Sequence, residues 1–401
     1  MIFVILTLIV SMNSTHSHIM NGIQPKGIPH TLVLEEDLRF GGDSNLDVSF
    51  WPLTSTTLAV DKNGHMFVCD PKANMIHEFD QQGLHVRSLG GAGQGPGEFT
   101  TLTSFQIHDH GAVALEVAPG ILPKLSFFDD QFAFLKRKMT GHTAVVPTYV
   151  QFNPAGELFA ASFVRMDQPN QVMFSETGIL DLEYQTVHLT TSHQQHFAPQ
   201  RMGDPKYLKQ FITDYLRNSF AGNGVFGFDA EGNLLMAFSD RYQITKLDPT
   251  LKRTLLVTEK RYQPIANNDR DKFALVDLLT ESWQKMPGIG AMIDEAFIYD
   301  CVAKAGLSPV KNPVMGLIAI ETSHFLVVRD IDMISGMQKA DLFDGDGVFI
   351  GTVSSQNWAF VNPLSLPKMV FKNGYAYTVE SNDEVQEVVR YRYRIEPKIT
   401  D

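Results

Sequence analysis

Two cysteines in 401 residues, Cys69 and Cys301, are too few for a disulfide scaffold or a cysteine-based zinc site. Each is read as a small buried hydrophobe, Cys69 in a strand pattern and Cys301 in a helical one. Positive charge is also scarce: 33 Lys and Arg stand against 45 Asp and Glu, a formal net charge of -12. That balance argues against sequence-independent nucleic-acid binding, which needs a basic stripe to displace phosphate counterions. Long apolar runs are missing as well, so no transmembrane span is expected. The stretch from Met1 to Val10 is only about ten residues long, half of what a bilayer-crossing helix needs.

That stretch has another reading. Small polar residues follow it at Ser11, Ser14, Thr15 and Ser17, the order of an apolar core and cleavage region in a secretory signal peptide. No Lys or Arg precedes it, and the competing reading is an N-terminal strand that packs. The expectation is a signal peptide over residues 1–18, a single domain over 19–401, and an exported protein, periplasmic or extracellular.

What the chain does contain is a returning pattern of short strands. Leu58-Ala59-Val60-Asp61 turns at Lys62-Asn63-Gly64 into Met66-Phe67-Val68-Cys69-Asp70, followed by Met75 to Asp80 and Leu84 to Leu89. Four apolar runs closed by Gly, Asn or Asp read as a four-stranded antiparallel meander. Such a unit cannot bury both faces alone, so it must recur and stack.

It does recur. Phe105 to Leu135 gives a second unit, and Tyr149 to Phe174 a third, with Gly178 taken as the start of the fourth. Val225 to Val257 completes the fourth, Gly316 to Gly351 the fifth, and Met369 to Arg394 the last. The last lacks an outer strand, while His30 to Gly41 lacks a unit of its own; pairing the two closes a ring and removes exposed edges. The expected fold is all-β, a six-bladed β-propeller closed by an N-terminal strand. A β-sandwich, the competing fold, predicts irregular strand lengths without the returning turn. Helical periods at about 204–218 and 267–307, the latter interrupted at Pro287-Gly288, read as insertions after blades three and four.

The strand phase from Leu58 to Asp80 resembles the NHL repeat. Together with Gly93-Gln94-Gly95-Pro96-Gly97-Glu98-Phe99, Lys260 to Pro264 and Tyr391 to Ile395, it makes the chain similar to bacterial six-bladed β-propeller proteins from about residue 30 to 397. The resemblance implies the fold and leaves the function open, since one propeller shape hosts enzymes, lectins and scaffolds. The Gly-rich loop lacks the Lys-Ser/Thr ending of a phosphate-binding loop and reads as a tight inter-blade connection.

Aligned blades put a carboxylate at the end of the second strand: Asp70, Glu116, Asp240, Asp330 and Glu380, with Ser162 or Phe163 in the third. Equivalent positions in a ring would gather these around one mouth of the axis, walled by the helical insertions. Arg241, Tyr242, Arg329 and the neighbouring Arg261 and Tyr262 are candidates to grip a ligand there. The structural alternative is that such acids hold their own turns. His108-Asp109-His110 falls on a turn, and His193 and His196 lack the Glu of the helical zinc-protease motif. His65, His77 and His324 do not share inner positions, and no nucleophile elbow is present. The functional expectation is a module binding a peptide, a carbohydrate or a protein partner, with a divalent cation as a conceivable cofactor. The alternatives are a metal-dependent lyase or hydrolase on the axis, and a structural partner in an envelope assembly.

Overall fold

The computed structural model describes residues 16–41, 58–118, 121–139, 145–167, 169–286, 288–321, 323–355, 359, 361, 368–381 and 386–398. The signal-peptide reading falls mostly on residues 1–15, outside these.

Among the described residues six sheets follow one another, each built on an up-and-down meander of four strands, one of them with a fifth strand at its edge. Blade 1 is Leu58–Val60, Met66–Asp70, Met75–Phe79 and His85–Gly90. Blade 2 is Leu102–His108, Gly111–Ala118, Ile121–Phe128 and Phe134–Met139. Blade 3 has longer strands, Val145–Phe152, Leu158–Asp167, Val172–Asp181 and Thr186–His196. Blade 4 is Gly224–Phe228, Leu234–Phe238, Gln243–Leu247 and Thr254–Lys260. Blade 5 is Gly316–Ile320, His324–Ile331, Gln338–Asp344 and Phe349–Ser355. Blade 6 takes Met369–Lys372, Tyr375–Ser381 and Gln386–Pro397 from the C-terminal end and His30–Gly41 from the N-terminal end. That last pairing is antiparallel, from His30 opposite Pro397 to Gly41 opposite Glu387, and it is the closure the sequence predicts.

Gly178 does not begin blade 4. It lies inside the third strand of blade 3, at a register shift between Thr177 and Gly178, where a Cβ would stand 2.4 Å from the His188 carbonyl oxygen. The glycine serves a close strand-to-strand approach, not a turn.

Side chains of a strand alternate between its two faces, and on inner strands of this ring such as Met66–Asp70 both faces are buried. Phe67 and Cys69 of blade 1 pack with Leu102, Phe105 and Ala114 of blade 2, while Met66 and Val68 pack with Tyr377 and Val388 of blade 6. The same seam recurs between blades 2 and 3, 3 and 4, 4 and 5, and 5 and 6. Burying one Phe or Leu contributes about 1.5–3 kcal/mol, so each seam binds its neighbours firmly and the ring has no open edge at its closure.

The turns explain the repeating Asp. Asp61 Oδ1 accepts from the Asn63 and His65 amides at 2.8 Å each, and Asp229 Oδ1 from Glu231 and Asn233 at 3.0 and 2.9 Å. Asp80, Asp129, Asp181 and Asp344 hold the turn between third and fourth strands in the same way. Each is an Asx turn, a carboxylate replacing a backbone acceptor.

Helix α1 (Pro205–Phe220) joins blades 3 and 4, and α2 (Asp269–Gln284) and α3 (Glu295–Ala305) join blades 4 and 5. Asp204 caps α1, Asn268 and Asp271 form a reciprocal capping box on α2, and Asp294 caps α3. Leu208, Ile212, Val276, Trp283, Ile298 and Val302 make a separate small core against Met173 of blade 3. Both insertions run from a last strand to the next first strand. They therefore sit at the end of the ring opposite the turns that join first and second strands.

A further strand, Ser17–Asn21, adds in parallel to the outer edge of blade 4, with Ser17 opposite Leu256 and Asn21 opposite Lys260. The chain then crosses blade 5, where Gly351 leaves room for the His30 carbonyl; a Cβ there would lie 1.8 Å from that oxygen.

Candidate functional site at the axial mouth

The innermost strands end at the first turns, and there the ring opens into a cavity of about 380 Å³. All six blades line it. Its walls are the apolar ends of the first strands, Ile107, Phe152, Phe228, Ala319 and Phe371. Its rim is charged: Asp61, Asp109, Asp130, Asp229 and Glu321 against Lys62 and Lys372.

Those carboxylates differ in what they already do. Asp61 is bound to its turn, including the Asn63 side chain at 3.3 Å. Asp229 holds its turn, takes Asn233 Nδ2 at 2.9 Å and pairs with Lys246 Nζ at 2.8 Å. Glu321 reaches across to blade 6, accepting from the Gly374 amide at 2.9 Å and the Tyr393 hydroxyl at 3.0 Å. Burial and the Glu321 charge push the Tyr393 phenol well up. Asp109 and Asp130, both exposed, accept no side-chain hydrogen bond and form no ion pair among the described residues. Lys62 and Lys372 likewise make no ion pair among them.

His108 sits on this wall. Its Nδ1 accepts from the His110 amide at 3.2 Å, which puts the proton of the neutral ring on Nε2. Burial, seconded by His110 and opposed by Asp109, holds its pKa below the usual histidine value. Gln151 Oε1, also on the wall, is buried without a hydrogen-bond partner among the described residues. Gly227 faces it: a Cβ there would lie 3.9 Å from that oxygen and 3.4 Å from the Leu317 carbonyl oxygen.

The carboxylates singled out in the sequence lie at the other end of the blades, because a second strand starts at the first turn and runs away from it. None of the five lines the cavity. Asp70 accepts from the Lys72 and Ala73 amides at 2.9 and 3.1 Å. Glu116 is buried and accepts from Thr100 N and Oγ1 at 2.7 and 2.9 Å, with Arg137 Nε 3.6 Å away. Asp330 pairs with Lys311 at 3.0 Å and Lys339 at 3.5 Å, and Glu380 with Arg39 at 2.9 Å. Asp240 is exposed, with Arg241 Nε at 3.4 Å. Tyr242 is buried, donating to Asp341 Oδ2 at 2.7 Å, and Arg329 Nε lies 3.4 Å from Asp341 Oδ1. Tyr242, Tyr262 and Arg329 line only a crevice of about 10 Å³ with Lys311.

Among the described residues no three His, Cys, Asp or Glu side chains converge as metal ligands. No helix among the described residues is long and apolar enough to cross a membrane. The Gly-rich loop is closed on itself, Glu98 accepting from the Gly95 amide at 2.8 Å.

A family model described as a 6-bladed beta-propeller matches residues 29–118, which hold the closing strand, the first blade and the first two strands of the second. The chain is a six-bladed β-propeller. Its backbone is similar to that of a DUF4221 family member from Bacteroides vulgatus, 10% identical over 93% of this chain and 100% of that chain, with a TM-score of 0.51. A candidate exported protein from Bacteroides fragilis is 10% identical over 95% of this chain and 100% of that chain, TM-score 0.47. A streptogramin B lyase is 9% identical over 92% and 98%, TM-score 0.40. At such identities the likeness concerns fold alone. Among curated proteins none matches the sequence.

Proposed function

We propose that this propeller is a binding module that takes a small ligand into its axial mouth at the first-turn end. The observation that carries the reading is the cavity of about 380 Å³ to which every blade contributes an apolar wall or a charged rim residue. Its volume lies at the small end of ligand sites, and an apolar wall beneath a charged rim offers a ligand both burial and polar contacts. The ring of second-strand acids offers less, because all five members are already hydrogen-bonded or paired within the protein. The metal-dependent lyase or hydrolase reading lacks a convergent ligand set among the described residues. The apolar run Met1 to Val10 supports export, which N-terminal sequencing of the mature protein tests.

The test of the axial site is a variant that fills it. Ala230, exposed on the cavity rim, is replaced by Trp. Thermal shifts are then read with phenethylamine, phenylpropionate, apolar dipeptides and maltotriose. The expected outcome is a stabilising shift by at least one probe in the wild type that Ala230→Trp abolishes, with the unliganded melting temperature unchanged. Shifts that survive the substitution would place the ligand elsewhere.

A further inference from the structure

The rim looks acidic by count, yet the carboxylates with work already assigned leave a different pattern. Asp61, Asp229 and Glu321 are committed to turn amides, Lys246 or the neighbouring blade. The charges without partners among the described residues are Asp109 and Asp130, both on blade 2, and Lys62 and Lys372, on blades 1 and 6. Opposite charges thus stand on separate arcs of one mouth and form no ion pair with each other. Below them lie Phe152, Phe228 and Phe371, and Gln151 Oε1 waits for a donor.

We propose that the ligand is a short peptide with free termini and an apolar side chain. The inference rests on the axial reading above and names its ligand class. The ammonium terminus meets Asp109 and Asp130, and the carboxylate terminus meets Lys62 and Lys372. The apolar side chain descends between the phenyl rings, and a peptide N–H satisfies Gln151 Oε1. A simple cation would leave two lysines facing it, and a simple anion two carboxylates; a zwitterion meets both arcs. A neutral oligosaccharide would use neither. Cavity size limits the occupant to a peptide of a few residues.

Isothermal titration with a pool of uncapped apolar dipeptides tests this, alongside the same pool N-acetylated or C-amidated. The expected result is saturable binding of the uncapped pool, weakened about tenfold by either cap, the worth of one charge-assisted contact. The double variant Asp109→Asn/Asp130→Asn should lose discrimination against the acetyl cap alone, and Lys62→Met/Lys372→Met against the amide alone. Equal binding of capped and uncapped pools, or no binding of the uncapped pool up to millimolar concentration, overturns the proposal. If phenethylamine or phenylpropionate then still binds in a manner that Ala230→Trp blocks, the axial site stands and only the ligand class falls. If no probe is sensitive to Ala230→Trp, both fall.

Discussion

Lys260, at the end of the last strand of blade 4, sets its ammonium 3.0 Å from Asp341 on the third strand of blade 5, and both side chains are almost wholly buried. The acid is the centre of an inter-blade knot. Tyr242 of blade 4 donates to its Oδ2 at 2.7 Å and Thr352 of blade 5 to its Oδ1 at 2.9 Å. The ammonium lies 4.2 Å from the centre of the Phe349 ring, a cation–π contact out of water. Burial lowers the Lys260 pKa and Asp341 opposes it. Burial and the adjoining carboxylate raise Tyr242 well above a free phenol.

Removing one partner from such a knot leaves an uncompensated buried charge, which costs about 3–5 kcal/mol. Asp341→Leu is therefore expected to lose that much in urea unfolding, more than Lys260→Met, since it also strands Tyr242, Thr352 and Arg329. The double variant should recover part of the loss, because a buried pair replaced by apolar groups is often close to neutral. Additive losses in the cycle would show that the two residues act independently.

Asn21 performs a comparable task with a neutral side chain. Its Nδ2 donates to Thr258 Oγ1 at 2.9 Å and to the Gly347 carbonyl at 3.0 Å, and its Oδ1 accepts from the Phe349 amide at 2.9 Å. One buried amide thus ties the N-terminal strap to blade 4 and to the last turn of blade 5. Asn21→Ala strands the Phe349 N–H, at a cost of about 1–3 kcal/mol when left unsatisfied, while the Gly347 carbonyl keeps the Thr258 hydroxyl as its donor at 2.6 Å. The expected outcome is a loss of about 1–3 kcal/mol, together with faster hydrogen exchange of the Phe349 amide than of the core strands of blade 1. Unchanged exchange at Phe349 would mean that the strap is not fastened there.

Much of the ring is legible in the sequence because Asp-capped turns and period-two strands are both local devices. Asp61, Asp80, Asp129 and Asp344 announce their turns, and the unpaired His30–Gly41 run announces the closure. Blade 3 misleads because its strands are long and Gly178 imitates a turn while relieving a contact with His188. The parallel strand Ser17–Asn21 leaves almost no local signal, since its register depends on Asn21 meeting residues more than 230 positions away. The acids singled out in the sequence lie at the end opposite the cavity for a related reason. Acids recur after the second strand and after the first alike, and sequence does not say which end carries the cavity. The series Asp61, Asp109, Asn153, Asp229, Glu321 was present, but it changes type from blade to blade and ends at Lys372.

Three histidines give the molecule a defined acid sensitivity. His77, His108 and His324 are each held below the ordinary histidine pKa, chiefly by burial. Asp70 opposes that shift at His77, Asp109 at His108 and Asp344 at His324, while His85, His110 and His30 reinforce it. A base whose pKa is lower in the folded state binds fewer protons there than when unfolded. Stability is therefore full above the unfolded value of about 6.5 and declines as pH falls from there through the native values. Asp332, which backbone and side-chain hydrogen bonds from Ser335 hold at about 2, titrates well below that range. Urea unfolding between pH 7.5 and 5 should then give midpoints that fall with acidification. His108→Gln should flatten that dependence by the share of one proton without changing its sign. A midpoint that is constant or rises toward pH 5 would mean that these rings take up their protons as readily in the folded ring as in the unfolded chain.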